Sequence, residues 1–407
     1  MFMMSATELI GGPINKELVN LRRKYHYSED VIHRLAIYYG IFRAIRIIEA
    51  LRKPPRNLAV RVNTLRADPD RVVDELRATG VNIYPSRIFR EVLFIRVDGP
   101  FEVKKVNKKV IVKDRSAEGV LLGANLYAPG VLQIEEGVEI NDEVNIVTRF
   151  GEVIAYGISK VSYLEKNLKG LVVEVKESIY RIPNLKTLRP FMAGEAYLAS
   201  MAATQALRWL NPQPGENILC ISPSAEDLAY LIQLTRGEGF ISVVSKTELE
   251  DLRIRESLRK MKLEQYEKRI KWHVIDYKYL KLESEAFDVV ILSPRSSKIG
   301  LRPRITAFLK EEDIIKLSRL TKLLLDKVVP AVKKGGRILY MVPSLDPAEG
   351  EFITKYLMNT WKLEPLKGSF RWGSVGIKEI PGGDRALRTY PDIHDDIGFY
   401  ASLLQKP

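Results

Sequence analysis

Apolar segments with the character of buried strands alternate with helical segments through the second half of the chain, and this pattern strongly constrains the fold. The stretch FDVVIL is apolar almost throughout, as expected of a strand that is covered on both faces. Such alternation predicts a doubly wound α/β domain over residues 183–407, with a ligand crevice at the carboxyl ends of its strands. A turn and then a buried strand are predicted over 211–221, and further strands are predicted at 240–245, 272–276, 287–294 and 335–342.

The preceding residues do not show this pattern and divide into two predicted units. Residues 1–105 are predicted to form an α+β module, with a helix over 29–51 and a second helix that begins after Asp68. Residues 106–182 contain short β-runs separated by glycines, which indicates a small β-barrel. The apolar residues on one face of the first helix are Val31, Leu35, Tyr38, Phe42 and Ile45.

The balance of charged residues points to an acidic partner. The chain has 64 Lys and Arg against 51 Asp and Glu, a net charge of +13, and nucleic acid is the partner that such a balance favours. The charged surface of a thermophilic protein is the alternative explanation.

The numbers and positions of cysteine and histidine limit which disulfides and metal sites the chain can form. Cys220 is the single cysteine, so the sequence excludes an internal disulfide and a cysteine-based metal site. The 4 histidines lack the spacing of metal ligands, and we expect no metal. No apolar run reaches the ~18 residues of a membrane span, and the N-terminus MFMMSATELIGGP lacks the basic region of a secretory signal. We therefore expect a cytoplasmic protein without a membrane partner.

Four stretches of sequence resemble known families. The stretches AEGVLLGANLYAPGV at 117–131 and GEVIAYG at 151–157 resemble the PUA domain, an RNA-binding module. The segments RVNTLRADPDRVVDELRATGV at 61–81 and RALRTYPDIHDDIGFYASLL at 385–404 resemble the Sun family of RNA cytosine-5 methyltransferases, also called the Fmu or Nop/Sun family. A PUA-like β-barrel inserted between an N-terminal α+β module and a methyltransferase-type sheet is similar to the archaeal arrangement. The resemblance implies RNA as partner and S-adenosylmethionine as methyl donor.

The catalytic residues of the family have different counterparts in this chain. In the family, one cysteine thiolate adds to carbon 6 of cytosine, a second cysteine assists release, and an aspartate holds the base. The resemblance places Ser293 at the aspartate, and Ser296 and Pro343 at the two cysteines. Cys220 is either a relocated nucleophile or a small buried strand residue, and the second interpretation is favoured. Ser296 is likewise favoured as a polar loop residue rather than a nucleophile.

The donor motifs differ from those of the family as well. The turn after the first strand reads CISPSAEDL, so Glu226 and Asp227 replace two glycines that let the backbone approach a donor closely. Their carboxylates are predicted to repel the carboxylate of the donor. An acidic residue that binds the ribose belongs at the end of the second strand, where the sequence has Ser245 or Lys246. We expect no cofactor, and the residues that remain to bind one are Ser222, Ser224, Ser245 and Asp276.

Basic and polar residues in two regions are candidates for contact with RNA. The alternative for the charged loop residues is that they are only solvated, and the alternative for Tyr127 is that it belongs to the core. The candidates in the loop after 287–294 are Arg295, Lys298, Arg302 and Arg304. The candidates in the PUA-like region are Lys113, Arg115, Asn125, Tyr127, Arg149 and Lys160.

These observations predict an RNA-binding protein with a degenerate RNA methyltransferase fold that binds tRNA or rRNA without methylating it. It would act alone or with a protein partner such as an active methyltransferase or a ribosome-assembly component. The alternative is an S-adenosylmethionine-dependent RNA methyltransferase with non-cysteine chemistry, since methylation of a nitrogen or a hydroxyl needs no covalent adduct. A scaffold that binds only protein is a third interpretation, which the basic charge does not favour.

Overall fold

The computed structural model describes residues 13–165 and 167–407, so any prediction for residues 1–12 lies outside the described part. Three helices come first and pack on the α/β domain, where Val31 and Ile47 share a core with Ile314 and Leu345. The predicted helix over 29–51 is divided at Gly40, whose φ of 76° ends one helix and begins the next. The three helices are α1 Pro13–Tyr25, α2 Glu29–Tyr39 and α3 Ile41–Leu51.

The break at Gly40 changes which residues face the core. Phe42 is 78% exposed, because the new helix turns its apolar face away from the predicted stripe. Ala44, Ile47, Ile48 and Leu51 are the residues of α3 that are buried.

A small antiparallel sheet follows. Asp68 caps its helix by accepting a hydrogen bond from the backbone N–H of Asp70 at 2.9 Å, as predicted. Its strands are ordered β10 (Ala196–Leu198), β1 (Asn57–Val62), β3 (Val92–Arg96) and β2 (Ile83–Pro85), so one outer strand comes from beyond the PUA-like region. The predicted boundary at residue 183 puts β1 and β10 in different units, whereas the structure pairs them in one sheet. The elements are β1 Asn57–Val62, α4 Pro69–Ala78, β2 Ile83–Pro85, β3 Val92–Arg96 and β10 Ala196–Leu198.

The inserted β domain is a six-stranded sheet with the order β5-β9-β8-β7-β4-β6 around its own apolar core. It contacts the rest of the chain through Phe150, which stacks on His26 with ring centroids 3.8 Å apart. The Thr306 hydroxyl also donates to Asp114 at 3.0 Å. The elements are β4 Lys109–Val112, α5 Asp114–Val120, β5 Leu126–Tyr127, β6 Val131–Ile134, β7 Glu143–Thr148, β8 Val153–Ser159 and β9 Leu171–Ser178.

The remaining chain forms the predicted α/β domain around a nine-stranded sheet. Its helices are α6 Arg189–Met192, α7 Met201–Leu210, α8 Ala225–Leu234, α9 Glu248–Lys260, α10 Glu311–Val328, α11 Glu351–Trp361 and α12 Pro391–His394. Its strands are β11 Asn217–Ile221, β12 Phe240–Ser245, β13 Ile270–Val274, β14 Phe287–Leu292, β15 Val332–Val342, β16 Glu364–Pro365, β17 Ser374–Val375, β18 Leu387–Thr389 and β19 Phe399–Gln405.

Both faces of the central strands are buried, which explains their continuous apolar runs. Along β11, Ile218 belongs to the core under α7 and α8, while Leu219 belongs to the core under α10 and α11. Strand β14 alternates in the same way, with Val289 on one face and Val290 on the other. Each strand therefore contributes to two cores.

The strand order places a topological switch point, where a ligand crevice is expected, at one edge of the sheet. In the order β13-β12-β11-β14-β15 all neighbours are parallel, and the chain leaves β11 to one side for β12 and to the other for β14. Ligands bind at such a switch point, at the carboxyl ends of the strands. None of the helices in the described part is long and apolar enough to span a bilayer.

Candidate active site

The turn after β11 forms one wall of the crevice. Ser222 has a φ of 48°, and its hydroxyl is hydrogen-bonded to the Tyr277 hydroxyl, which follows β13. Ser224 caps α8 by accepting from the backbone N–H of Asp227 at 3.0 Å. Glu226 and Asp227 lie in the first helical turn, where the backbone does not need the freedom of glycine. The positive end of the helix favours carboxylates at these positions.

Arg61 adds a buried positive charge beneath this turn, a contact between distant segments that the sequence alone does not predict. Its guanidinium donates to the Glu226 carbonyl at 2.9 Å and lies 3.9 Å over the Tyr230 ring. A second bond runs to the Thr204 hydroxyl at 2.7 Å. Burial raises the pKa of Asp227, and the charge of Arg61 opposes that rise. The predicted repulsion of a donor by two carboxylates is therefore offset by a nearby cation.

Three serine hydroxyls at the crevice are buried without a hydrogen-bond partner in the protein, counted over residues 13–165 and 167–407. Ser245 ends β12, and Ser293 and Ser296 follow β14. A buried hydroxyl without a partner costs about 1–3 kcal/mol. Three such groups at one end of a sheet fit a site that polar ligands complete, and S-adenosylmethionine beside a target nucleotide has the required polar groups.

The crevice also contains carboxylates near its other strand ends. Asp276, which the sequence analysis retained as a donor-binding candidate, accepts a hydrogen bond from the backbone N–H of Lys278 at 3.1 Å. Glu250 accepts one from the backbone N–H of Lys246 at 3.0 Å, beside the end of β12. Glu250 was not among the predicted residues, because it lies five positions after Ser245 and only the turn into α9 brings it back to the strand.

The loops that carry Ser296 and Pro343 are tied together by a buried carboxylate. Glu349 accepts from the backbone N–H of Ser297 at 2.7 Å, from the Ser297 hydroxyl at 2.5 Å and from the Ser344 hydroxyl at 2.6 Å. Burial raises the pKa of Glu349, which these hydrogen bonds partly oppose. The two positions that the resemblance matches to cysteines thus lie on neighbouring, mutually bonded loops. The backbone carbonyl of Pro343 also accepts from Gly300 at 3.1 Å.

Cys220 lies inside the sheet and away from the crevice surface. Its side chain is 1% exposed and packs in the core beneath α7 and α8. Burial raises the pKa of its thiol well above the usual range. A thiol in this environment does not form the thiolate that nucleophilic addition needs.

The loop residues that were predicted to contact RNA differ in how far their side chains are exposed. Arg295 and Lys298 are exposed beside the crevice. Arg302 is buried instead, with its side chain 4% exposed, and donates to the carbonyls of Lys53 and Pro54 at 3.0 Å and 2.9 Å. The prediction that Arg302 contacts RNA is corrected on this ground, because its guanidinium is used to join segments of the protein.

Arg304 and the PUA-like candidates lie closer to solvent. Arg304 is half-buried and donates to the Lys298 carbonyl at 3.1 Å. Lys113, Arg115 and Asn125 are exposed, and Tyr127 is 55% exposed, so the alternative that it is a core residue does not hold.

Two cations of this set are already paired. Arg149 bonds to Asp114 at 2.8 Å, and Lys160 pairs with Glu174 at 2.9 Å. An RNA phosphate would have to compete with these carboxylates.

Comparison with known proteins identifies both domains. Residues 207–405 match the family model described as 16S rRNA methyltransferase RsmB/F, and residues 108–179 match the PUA domain. The chain contains a Sun-family methyltransferase domain and a PUA domain. Their arrangement is that of an S-adenosylmethionine-dependent methyltransferase fold with a PUA insertion, as the sequence predicted.

Relatives match nearly the whole chain. The tRNA (cytosine(72)-C(5))-methyltransferase of Pyrococcus horikoshii is 27% identical over 394 residues, which cover 94% of this chain and 98% of the relative. The human tRNA (cytosine(72)-C(5))-methyltransferase NSUN6 is 23% identical over 381 residues, covering 83% of this chain and 80% of the relative. The crystal structure of NSun6 from Pyrococcus horikoshii with SFG matches with a TM-score of 0.84 and 24% identity, covering 94% of this chain and 99% of that one.

These matches correct two predictions made from the sequence. The prediction of a non-catalytic RNA-binding protein is wrong, because relatives along almost the full length are named as methyltransferases. The prediction that no cofactor binds is wrong, because the domain belongs to a family of S-adenosylmethionine-dependent enzymes.

Proposed function

We propose that this chain is an S-adenosylmethionine-dependent RNA methyltransferase that acts on tRNA and transfers the methyl group without a covalent cysteine adduct. The observation that carries the proposal is the set of buried, unpartnered hydroxyls of Ser245, Ser293 and Ser296 at the switch point of the methyltransferase sheet. The names of the relatives that match along the full length support tRNA as substrate.

A covalent cysteine adduct is excluded from the proposal because the single cysteine of the chain is buried. The chain has 1 cysteine, and Cys220 is buried with a raised thiol pKa, so no thiolate is available to attack a pyrimidine ring. The hydroxyl of Ser296 is a poor nucleophile for the same addition. A target nitrogen or hydroxyl has its own lone pair and needs no prior adduct. We therefore propose that the methylated atom is a nitrogen or an oxygen of the RNA.

The residues of the crevice would then have separate tasks. When bound, S-adenosylmethionine supplies the electrophilic methyl group. Ser222, Ser224 and Asp276 at the ends of β11 and β13 would hold it, while Ser293 and Ser296 would contact the target nucleotide from the loop after β14. Glu349 would act as a positioning residue, since its bonds to Ser297 and Ser344 fix the two loops that border the target.

RNA would be bound by the PUA domain together with the mouth of the crevice. The net charge of +13 favours association with phosphates, and Arg295 and Lys298 are exposed next to the proposed target site. Lys113 and Arg115 at the start of α5 are exposed as well and add two cations on the PUA domain.

The test is a methyl-transfer assay with a nucleoside analysis of the product. Purified protein is incubated with labelled donor and with unmodified tRNA, and digested RNA is analysed by mass spectrometry. We expect a nucleoside methylated on nitrogen or oxygen, formed more slowly by Ser293→Ala than by wild type. Ser369→Ala, an exposed serine on a different loop, is the matched control and should leave the rate unchanged.

Two results would contradict the proposal. No transfer to tRNA, with the protein folded and donor present in excess, would reject the enzymatic function. Formation of 5-methylcytosine by this protein alone would reject the chemistry without an adduct.

A further inference from the structure

A groove with a volume of about 390 Å³ lies where the turn between β2 and β3 meets α7 and the loop after β16. Each of these three segments contributes one arginine to the groove, and they are Arg90, Arg208 and Arg371. Among the residues of the described chain that line the groove, none is acidic. Three guanidinium groups that share one space repel one another, so the groove fits an anionic ligand.

The three arginines retain hydrogen-bond donors that the protein does not use. Arg208 donates through Nε to Glu91 at 2.8 Å and to the Tyr230 hydroxyl at 2.9 Å, which fixes the orientation of its guanidinium. Its two terminal nitrogens donate to no residue that the structure describes. Arg90 uses a single terminal nitrogen, for two carboxylates at the start of α4. The Arg371 side chain is exposed and has no hydrogen bond within the described chain.

A buried amide adds a further donor to the groove. Gln205 is 4% exposed, and its Oε1 accepts from the backbone N–H groups of Arg371 at 2.9 Å and Trp372 at 3.1 Å. These two bonds hold the Arg371 loop against α7 and identify the other end of the amide as the donor. Its Nε2 donates to no described residue and is not sealed within the core, and the side chain lines the groove. An acceptor in the groove would complete the hydrogen bonding of this amide.

A short series of contacts joins the groove to the loop that borders the proposed target site. Trp372, the neighbour of Arg371, donates through Nε1 to Asp396 at 3.1 Å. The adjacent Asp395 accepts from Arg302 at 3.1 Å, and Arg302 belongs to the loop after β14. The groove is therefore close enough to the crevice for one extended ligand to contact both.

We propose that this groove binds the phosphate backbone of the RNA substrate, as a contact separate from the PUA domain and from the mouth of the crevice. The planar fork of a guanidinium matches a pair of phosphate oxygens. The partly buried ring of Trp209 gives the groove an apolar wall against which a nucleotide packs. The net charge of +13 favours nucleic acid over an acidic protein segment as the occupant. The inference rests on the proposed function, which supplies tRNA as the ligand.

The experiment is filter binding of unmodified tRNA to the full chain at several salt concentrations. Arg371→Ala should weaken binding by about threefold and lower the slope of log affinity against log salt by about one, because one phosphate contact is lost. Arg371→Glu should weaken binding by more than about tenfold, because the new carboxylate repels phosphate and pairs with the remaining guanidinium groups. In the methyl-transfer assay both variants should raise KM for tRNA and leave kcat unchanged, since the groove does not touch the reacting atoms.

Arg253→Ala and Arg253→Glu are the matched controls, because Arg253 is exposed on α9 and makes no hydrogen bond within the described chain. They change the net charge by the same amounts and should bind tRNA within about twofold of wild type. Thermal unfolding verifies that each variant is folded.

The outcomes separate the groove from the enzymatic proposal. A graded loss for the Arg371 variants, with the controls unchanged, supports the groove as a backbone contact. If wild type binds tRNA and the Arg371 variants bind it as the controls do, the groove assignment is overturned, an acidic protein segment becomes the better occupant, and the proposed function stands. If wild type does not bind tRNA at low salt, the proposed function and this inference are both overturned.

Discussion

Replacing Arg61 with methionine tests the contact that joins the N-terminal sheet to the donor turn. The guanidinium is fully buried, donates to Glu226 at 2.9 Å and to Thr204 at 2.7 Å, and lies 3.9 Å over the Tyr230 ring. Two hydrogen bonds from a charged group contribute about 1.5–3 kcal/mol each, and the ring contact adds about 1 kcal/mol. Because burial of the charge cancels part of this gain, we expect the free energy of unfolding to fall by about 3–5 kcal/mol.

The size of this loss should depend on pH, because the Asp227 carboxyl is near the guanidinium. Burial raises the folded-state pKa of Asp227, and Arg61 opposes that rise. A carboxyl with a raised folded pKa contributes stability that is present below its unfolded pKa and is lost as the pH rises through the folded pKa. Without Arg61 the pKa of Asp227 rises further and more stability is lost. The Arg61→Met variant should therefore be destabilised more at neutral pH than in mild acid.

Chemical denaturation at neutral and mildly acidic pH measures both effects. Arg66→Met is the control, because the Arg66 side chain is exposed and donates to the Lys262 carbonyl at 3.4 Å. The stability of this variant should differ from that of the wild type by less than about 0.5 kcal/mol. Adding Asp227→Asn to Arg61→Met should restore part of the loss at neutral pH. The reasoning is refuted if Arg61→Met is as stable as the control, or if its loss is the same at both pH values and Asp227→Asn restores nothing.

Other substitutions address the core, the RNA surface and the thiol. Arg388→Met should lower the free energy of unfolding by about 3–5 kcal/mol, because it leaves the Glu351 carboxylate without its partner, and both side chains are 0% exposed. A loss below about 1 kcal/mol in chemical denaturation would contradict this prediction. Changing Arg295 and Lys298 to alanine should weaken tRNA binding and lower the slope of log affinity against log salt by about two. Arg302→Ala should instead lower the stability of the protein and leave this slope unchanged. Filter-binding titrations at several salt concentrations measure the slope, and the reverse pattern would contradict the prediction. Cys220→Ala should transfer methyl groups to tRNA at the wild-type rate, and a folded but inactive variant would show that the thiol takes part.

Some predictions are wrong because of one glycine or because of a contact from a distant segment of the chain. The helix predicted over 29–51 is two helices, because Gly40 takes a φ of 76° and rotates the apolar face that follows it. The sequence predicts that the charges of Glu226 and Asp227 face a donor alone, whereas in the structure Arg61 from a different sheet lies beneath them. Arg302 resembles its exposed neighbours in sequence but is buried among the carbonyls of Lys53 and Pro54.

The amino-acid sequence by itself determined the α/β alternation, the small β domain before it, the helix cap at Asp68 and the single cysteine, because these follow from periodicity, local hydrogen bonding and composition. The PUA assignment of the β domain came from its resemblance to that family. Only the tertiary structure decided which charges are paired, which hydroxyls are buried without partners, and that Glu250 lies at the end of β12. Burial and charge pairing depend on residues far apart in the chain, and their energies change by several kcal/mol with the partner that folding supplies.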